Sequence, residues 1–335
     1  MAFDNTPQSV HIDQILTDLT LDYVTEQRYL ADIVFPVVEV QKKSDEYYKF
    51  DPNESNRENQ DAVGLVAPRT TPRKFDVSHG TGSYMAKVYG TSFDMLMEAE
   101  ANEDEQLKVR QRKARQGANM MSQKKDRDFI ATYMKTGVWG QDLTGVASSP
   151  STNQFVQWNN AASTPIDNIR LFKKQFKVRN YGFEINKMVV TQDIVDALMA
   201  NPQVLGRING GATIANPALI DMTLLANIFG IEEIILADAV TNAAAVGATA
   251  TPAFMLENKI LFTHTPAEAG LDTPAAGLTF AWNAVEGVSY GISAESFTDD
   301  SLRRFGISEE VHMKMSYDMQ LVGASMGTYV SSVLA

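Results

Sequence analysis

The pentapeptide GASMG at 323–327 has the G-x-S-x-G spacing of a nucleophile elbow, with Ser325 in the serine position and a strand-like segment before it. That chemistry needs a helix after the serine, then an acid and a histidine further along the chain. Only TYVSSVLA follows, which holds neither, so the spacing reads as small residues at the end of a strand. The histidines are His11, His79, His264 and His312; no two are close enough in sequence to suggest a ligand pair, and there is no H-E-x-x-H. HGTGS (79–83) and RINGGAT (207–213) are glycine-rich but lack both the Walker lysine and the dinucleotide-binding spacing, and read as loops. The chain has no cysteine, which removes disulfides, thiolate catalysis and cysteine-based zinc sites. These patterns assign no catalytic residue, no cofactor and no metal.

The most unusual charge pattern lies in residues 98–134, a 37-residue run without proline. It opens with Glu98, Glu100, Glu103, Asp104 and Glu105 and continues with Lys108, Arg110, Arg112, Lys113 and Arg115. The acids show no EF-hand spacing, and a helix would spread their carboxylates around its circumference, so a solvated or protein-facing role is expected. Lys108, Arg112 and Arg115 share a face, but no aromatic residue is interleaved to stack a base, which argues against specific single-strand recognition and for protein contact. As an α-helix the run would be about 55 Å long at 1.5 Å per residue. Acids at its start suit the helix dipole, and Asp104 pairs with Lys108 at i,i+4. Leu107, Ala114, Ala118, Met121 and Phe129 mark a narrow apolar stripe, so one side packs and the rest meets solvent or a partner. Gly117, costing about 1 kcal/mol against alanine, is a natural bending point.

The elements around this rod follow from periodicity. Ile12, Ile15, Leu16 and Leu19 predict a short amphipathic helix in an arm over 8–35. FPVVEVQKKSDEYYKF (35–50) and RKFDVSHGTGSYMAKVYG (73–90) read as strands separated by a stretch with little to bury, so 37–92 is expected to be a long β-hairpin without a core of its own. Arms of roughly 15 residues at about 3.3 Å each would extend about 50 Å, and such a ribbon is marginal in water unless it lies on a surface. WGQDLTGVASSPSTNQ (139–154) is turn-rich, and 165–180 reads as helix. KMVVTQDIVDALMANP gives a strand then a helix with Thr191 as N-cap, and NPALIDMTLLANIFG a helix with Asn216 as cap, Pro217 at its first position and Gly230 as its stop. Strands suit IEEIILAD, NKILFTH and GLTFAWN, making this region an α/β lobe. Val311, Met313, Met315, Tyr317, Met319 and Leu321 alternate with polar residues, the pattern of a half-buried strand.

A chain of 335 residues, 44% hydrophobic, can bury a large core and is long enough for two domains. Its net charge of -12 argues against nucleic-acid or anionic-membrane binding driven by bulk charge. The start has no basic region followed by an apolar one, so no signal peptide is expected. The longest uncharged stretch, 239–256, contains Asn242, Gly247 and Pro252 and reads as a loop rather than a membrane span.

The order of these elements resembles the major capsid proteins of tailed bacteriophages, the Hong Kong-type capsid fold. YLADIVFPVVEVQKKSDEYYKFD is similar to that family's entry into its extended loop, and GVWGQDLTGV to the turn after its spine helix. KMVVTQDIVDALMANPQVLGRI, IFGIEEIILADAV and ILFTHTPAEAGLDTPAAGLTFAW resemble segments of its axial domain, and the likeness spans roughly residues 20–330. The resemblance implies an α+β fold in four parts: an N-terminal arm (1–36), an extended loop (37–92), a peripheral domain (93–180 and 305–335) with a spine helix at 98–134, and an α/β axial domain (181–304). It implies hexamers and pentamers in an icosahedral head enclosing double-stranded DNA. It also implies a portal, room for a decoration protein, non-specific contact with the packaged DNA, and assembly in the host cytoplasm without a membrane. About twenty residues precede the family-like region, so a separate scaffold protein is expected. The hairpin would drape over a neighbour, making Asp45, Glu46, Arg57, Arg69, Arg73 and Lys74, with Glu54 and Glu58, candidate contacts for Glu103, Asp104, Lys108, Arg112 and Arg115, and Gly117 the bend of the spine helix. An encapsulin-like nanocompartment is the nearest alternative; a cytosolic α/β enzyme lacks a coherent set of acid, base and nucleophile.

Overall fold

The computed structural model describes residues 11–12, 29–50, 64–72, 74, 80–97, 106–209, 221–242, 249, 251–271, 273–283, 290–298, 302 and 304–335. They group into two compact units. The first comprises Met1–Glu46, Ser83–Asp126 and Thr279–Gln320, the second Tyr47–Gly82, Arg127–Leu278 and Leu321–Ala335.

The first unit is organised by the strand Ile307–Leu321, whose alternation survives in the structure: Val311, Met313, Met315, Tyr317 and Met319 are buried. It pairs antiparallel with Ile292–Phe297 and with Lys87–Leu96, and also neighbours Gly277–Trp282 in a six-stranded sheet. Val37–Val40 joins that sheet parallel to Gly277–Trp282. His11–Ile12 pairs with Glu295–Ser296, so Ile12 is in a strand and not in the expected arm helix. The other residues proposed for that helix, Ile15, Leu16 and Leu19, lie outside the described residues. Helix Leu30–Val34 is short, with Leu30, Ala31 and Val34 buried.

The two ends of the expected hairpin are strands of another sheet. Among the described residues, Ser44–Lys49 and Gly80–Met85 form a two-stranded ribbon, while the flanking strands Val37–Val40 and Lys87–Leu96 belong to the large sheet. Six residues per arm span about 20 Å. One tyrosine on each arm is buried, Tyr47 and Tyr84, and the ribbon's other residues are exposed or half-buried. Tyr84 stacks on Phe280 at 4.4 Å, and the Tyr47 hydroxyl donates to the Leu321 carbonyl at 3.2 Å.

The second unit is built on six strands in the order Gln154–Val156, Gln141–Val146, Gly327–Ser331, Lys259–Thr263, Lys187–Val190, Glu233–Leu236. Lys259–Thr263 runs antiparallel to both neighbours and the remaining pairings are parallel. Both faces of its inner strands are apolar, as Met188, Val189, Val190, Ile260, Leu261 and Phe262 require, and all six are fully buried. Helix Pro165–Arg179 packs on this sheet through Phe172, whose ring meets Phe155 at 5.7 Å and Phe262 at 6.2 Å. Each such buried aromatic side chain contributes roughly 2 kcal/mol by area. The turn-rich stretch 139–154 therefore holds a sheet strand, its weak propensity overridden by pairing to residues nearly two hundred positions away.

Helix ends differ in detail from expectation. Gln192–Ala200 follows Thr191 as predicted, but the Thr191 hydroxyl makes no capping bond and is buried. Met222–Phe229 is capped by Asp221, whose carboxylate accepts from the Met222 N–H at 2.7 Å, while Asn216 and Pro217 lie outside the described residues. Gly230 ends that helix as expected, in the left-handed region at φ 63°.

Candidate functional site

The long helix is continuous over Gln106–Tyr133, 28 residues and about 42 Å. The acidic block, with Glu103 and Asp104, lies outside the described residues, as does the side chain of Lys108. The predicted stripe holds where it is described: Ala114, Ala118, Met121 and Phe129 are buried. Gly117 joins them for a reason of packing. A Cβ there would sit 2.6 Å from Met313 Sδ and 3.6 Å from Thr91 Cγ2, so the side chains of two sheet strands occupy the space. Alanine should gain about 1 kcal/mol of helix propensity, but overpacking a buried methionine costs typically 1–3 kcal/mol. Gly117→Ala is expected to be destabilising by about 1 kcal/mol in urea unfolding. Combined with Met313→Ala it should cost less than the two changes summed; strict additivity would refute the steric reading.

The basic block divides by face. Arg110 pairs with Glu309 at 2.6 Å. Lys113 donates to the Asp94 carbonyl at 2.6 Å and lies 5.9 Å from the Phe93 ring centre. Arg112 and Arg115 are exposed, and no ion pair among the described residues takes them up. On the ribbon side, Asp45 is held by Lys42 at 2.8 Å, and that hydrogen bond keeps its carboxyl below the usual range. Glu46, Arg69 and Lys74 are exposed, with Arg69 in the turn from Ala67 to Thr70. Arg57, Arg73, Glu54 and Glu58 lie outside the described residues.

One cluster on the long helix was not foreseen. Asp126 is 2% exposed, and its two oxygens accept from the Ala31 N–H at 2.8 Å and the Leu30 N–H at 3.2 Å. Lys125 pairs with Asp32, and the Tyr29 hydroxyl donates to Asn119 at 2.9 Å. Residues 29–32 are thereby fastened to the helix. The signal was an acid at the position where the stripe Ala118–Ser122–Asp126–Phe129 calls for an apolar residue.

Burial pushes the Asp126 carboxyl up to about 6, with the repulsion of Asp32 adding to it; the two backbone donors and Lys125 pull the other way. The folded chain therefore holds this proton more tightly than an unfolded one, where an aspartate titrates near 3.9. The stability so gained is full below about pH 4 and lost as pH rises through about 6. Relative to Asp126→Asn, the wild type should lose about 2 kcal/mol between pH 4 and 7. Urea midpoints of both proteins across that range check it; parallel profiles would contradict it.

The residues considered for catalysis are arranged otherwise. Ser325 sits in the 3-10 turn Ala324–Met326, followed by a strand and not the helix an elbow needs. The His264 ring bonds the Glu184 carbonyl at 2.8 Å, and the His312 ring lies 2.8 Å from a Glu310 carboxylate oxygen. A groove of about 390 Å³ in the second unit is lined by Tyr48, Lys49, Phe50, Leu271, Thr273, Pro274 and Val322. Among the described residues no cluster of acids and histidines could hold a metal ion, and no helix is long and apolar enough to cross a membrane.

No protein-family model matches the chain, and no curated protein matches it by sequence. Solved structures do. A phage-related protein from Bordetella bronchiseptica RB50 superposes with a TM-score of 0.71 at 14% identity, over 97% of this chain and 99% of that one. The capsid protein of cyanophage P-SCSP1u gives 0.55 at 13% identity, over 99% and 92%. The SrpI encapsulin of Synechococcus elongatus gives 0.52 at 12% identity, over 99% and 94%. The described residues have the α+β fold of the tailed-phage major capsid proteins, the Hong Kong-type capsid fold.

Proposed function

We propose that this chain is the major capsid protein of a tailed phage, assembling as hexamers and pentamers into an icosahedral head around double-stranded DNA. The observation that carries this reading is the extent of the fold match: 97% of the chain falls within the phage-related relative and 99% within the cyanophage capsid protein. The ribbon supports it. Two six-residue strands bury little beyond Tyr47 and Tyr84, and such an element gains stability when a neighbouring subunit covers it. In this reading residues 181–304 form the axial domain, the helix 106–133 is the strut of the peripheral domain, and exposed Glu46, Arg69, Lys74, Arg112 and Arg115 face neighbouring copies. A separate scaffold protein, a portal and packaged DNA are its partners.

A second reading has its own support, since the SrpI encapsulin shares the fold over 99% of this chain. The two readings differ in what the shell contains. Particles purified from the native source should carry nuclease-protected, genome-length DNA. Particles filled with an enzyme and no DNA would establish the encapsulin reading and overturn the first.

A further inference from the structure

Helix Pro165–Arg179 is basic within an acidic chain, with Arg170, Lys173, Lys174, Lys177 and Arg179 against Asp167. Its inner face of Ile166, Ile169, Phe172 and Phe176 is buried. The opposite face is apolar a second time: Leu171 is 50% exposed, Val178 73%, and Tyr181, just beyond the helix end, 46%. Leu171, Lys174 and Val178 follow one another at i, i+3 and i+7, so they form one stripe with the exposed Arg170 beside it. Other cations of this helix are engaged. Lys173 donates to the Phe229 and Gly230 carbonyls, and Lys177 pairs with Glu184. Lys174 enters no ion pair among the described residues, and Arg170 has only a 3.8 Å approach to Asp167.

The same unit carries the opposite charge on another helix. Gln192–Ala200 exposes Asp193 and Asp196, one turn apart. The Asn258 N–H donates to Asp193 at 3.3 Å, which brings the exposed Glu257 alongside. No base among the described residues pairs with either aspartate.

We propose that the Arg170–Lys174 stripe of one subunit docks on the Asp193–Asp196 patch of a second copy, a contact that rests on the shell reading and gives it a specific seam. Two different patches meeting between identical chains make a heterologous contact, which repeats head to tail and closes into a ring when the rotation allows. The apolar residues select the occupant. A nucleic-acid backbone would satisfy Arg170 and Lys174 but leave Leu171, Val178 and Tyr181 in water, whereas a protein surface covers both. Complementary charge then fixes the register and excludes like-charged approaches.

The test is a charge exchange on the full-length chain, with assembly read by sedimentation velocity at fixed salt. All four side chains are exposed, and circular dichroism confirms that each variant is folded. Arg170→Glu with Lys174→Glu should raise the protein concentration needed for assembly at least tenfold. Adding Asp193→Lys and Asp196→Lys should restore it. Wild-type assembly by the first pair, or loss without rescue by the second, would overturn the pairing. Intact shells that merely retain less DNA would assign the stripe to nucleic acid and overturn it as well. A wild type that never assembles would instead count against the shell reading itself.

Discussion

Gly327→Ala should lower the stability of the second unit by about 3 kcal/mol, since overpacking of a closed core reaches that range. A Cβ built on Gly327 falls 1.8 Å from Trp139 Cε3 and 2.5 Å from Cδ2 and Cζ3. Neither side can retreat easily. Gly327 begins a strand paired to Lys259–Thr263, with Thr263 opposite it, and the next residue is in register with Gln141. Trp139 is 6% exposed and its ring N–H donates to the Tyr133 carbonyl at 2.7 Å. Moving the indole breaks that bond; moving the strand breaks the sheet. Urea unfolding measures the loss. A smaller residue at 139 should absorb the new methyl, so Gly327→Ala made in a Trp139→Leu background should cost less than about 1 kcal/mol more. An unchanged midpoint for the single variant would contradict the packing account.

The second large effect is expected at Arg179. Its guanidinium reaches neutral acceptors throughout: Nε to the Ser325 carbonyl at 3.0 Å, Nη1 to Gln141 at 2.9 Å, and Nη2 to the Gly327 carbonyl at 3.0 Å and Thr328 at 2.9 Å. It ties the end of helix Pro165–Arg179 to the turn and strand that close the chain. Burial lowers its pKa to about 10, so it remains a cation at neutral pH. Arg179→Met leaves several part-buried acceptors without a donor and should cost about 3 kcal/mol. Lysine should recover less than half of this, because a single ammonium cannot fork to acceptors on both sides. The comparison is made by urea unfolding, and a lysine variant as stable as wild type would show that charge, not the fork, is what matters.

The parts of the fold that were legible in the sequence are those written in local periodicity. The alternation at 311–321 named a strand and its buried face, and the spacing of Ala114, Ala118, Met121 and Phe129 named a helix and its packed side. What was not legible depends on partners distant in the chain. The local pattern at Gly327 shows only a small residue beside a strand, and Trp139 is what fills the space there; the neighbour of Gly117, Met313, is likewise invisible in the helix's own spacing. Strand propensity does not say which sheet a strand will join, and Lys87–Leu96, at the base of the expected hairpin, pairs with Ile307–Leu321. Asp126 stands amid Lys124, Lys125 and Arg127, where an acid looks like ordinary surface; only the backbone of Leu30 and Ala31 makes it a buried acceptor. The helical spacing was enough to name Arg112 and Arg115, and both are exposed.

A tile that closes into a shell must assemble. Sedimentation velocity and negative-stain microscopy of the purified chain, expressed with and without a candidate scaffold protein, read this out. Closed shells, or rings of five and six subunits, are expected in at least one of those conditions. A stable monomer in both, at every protein and salt concentration tried, would contradict it.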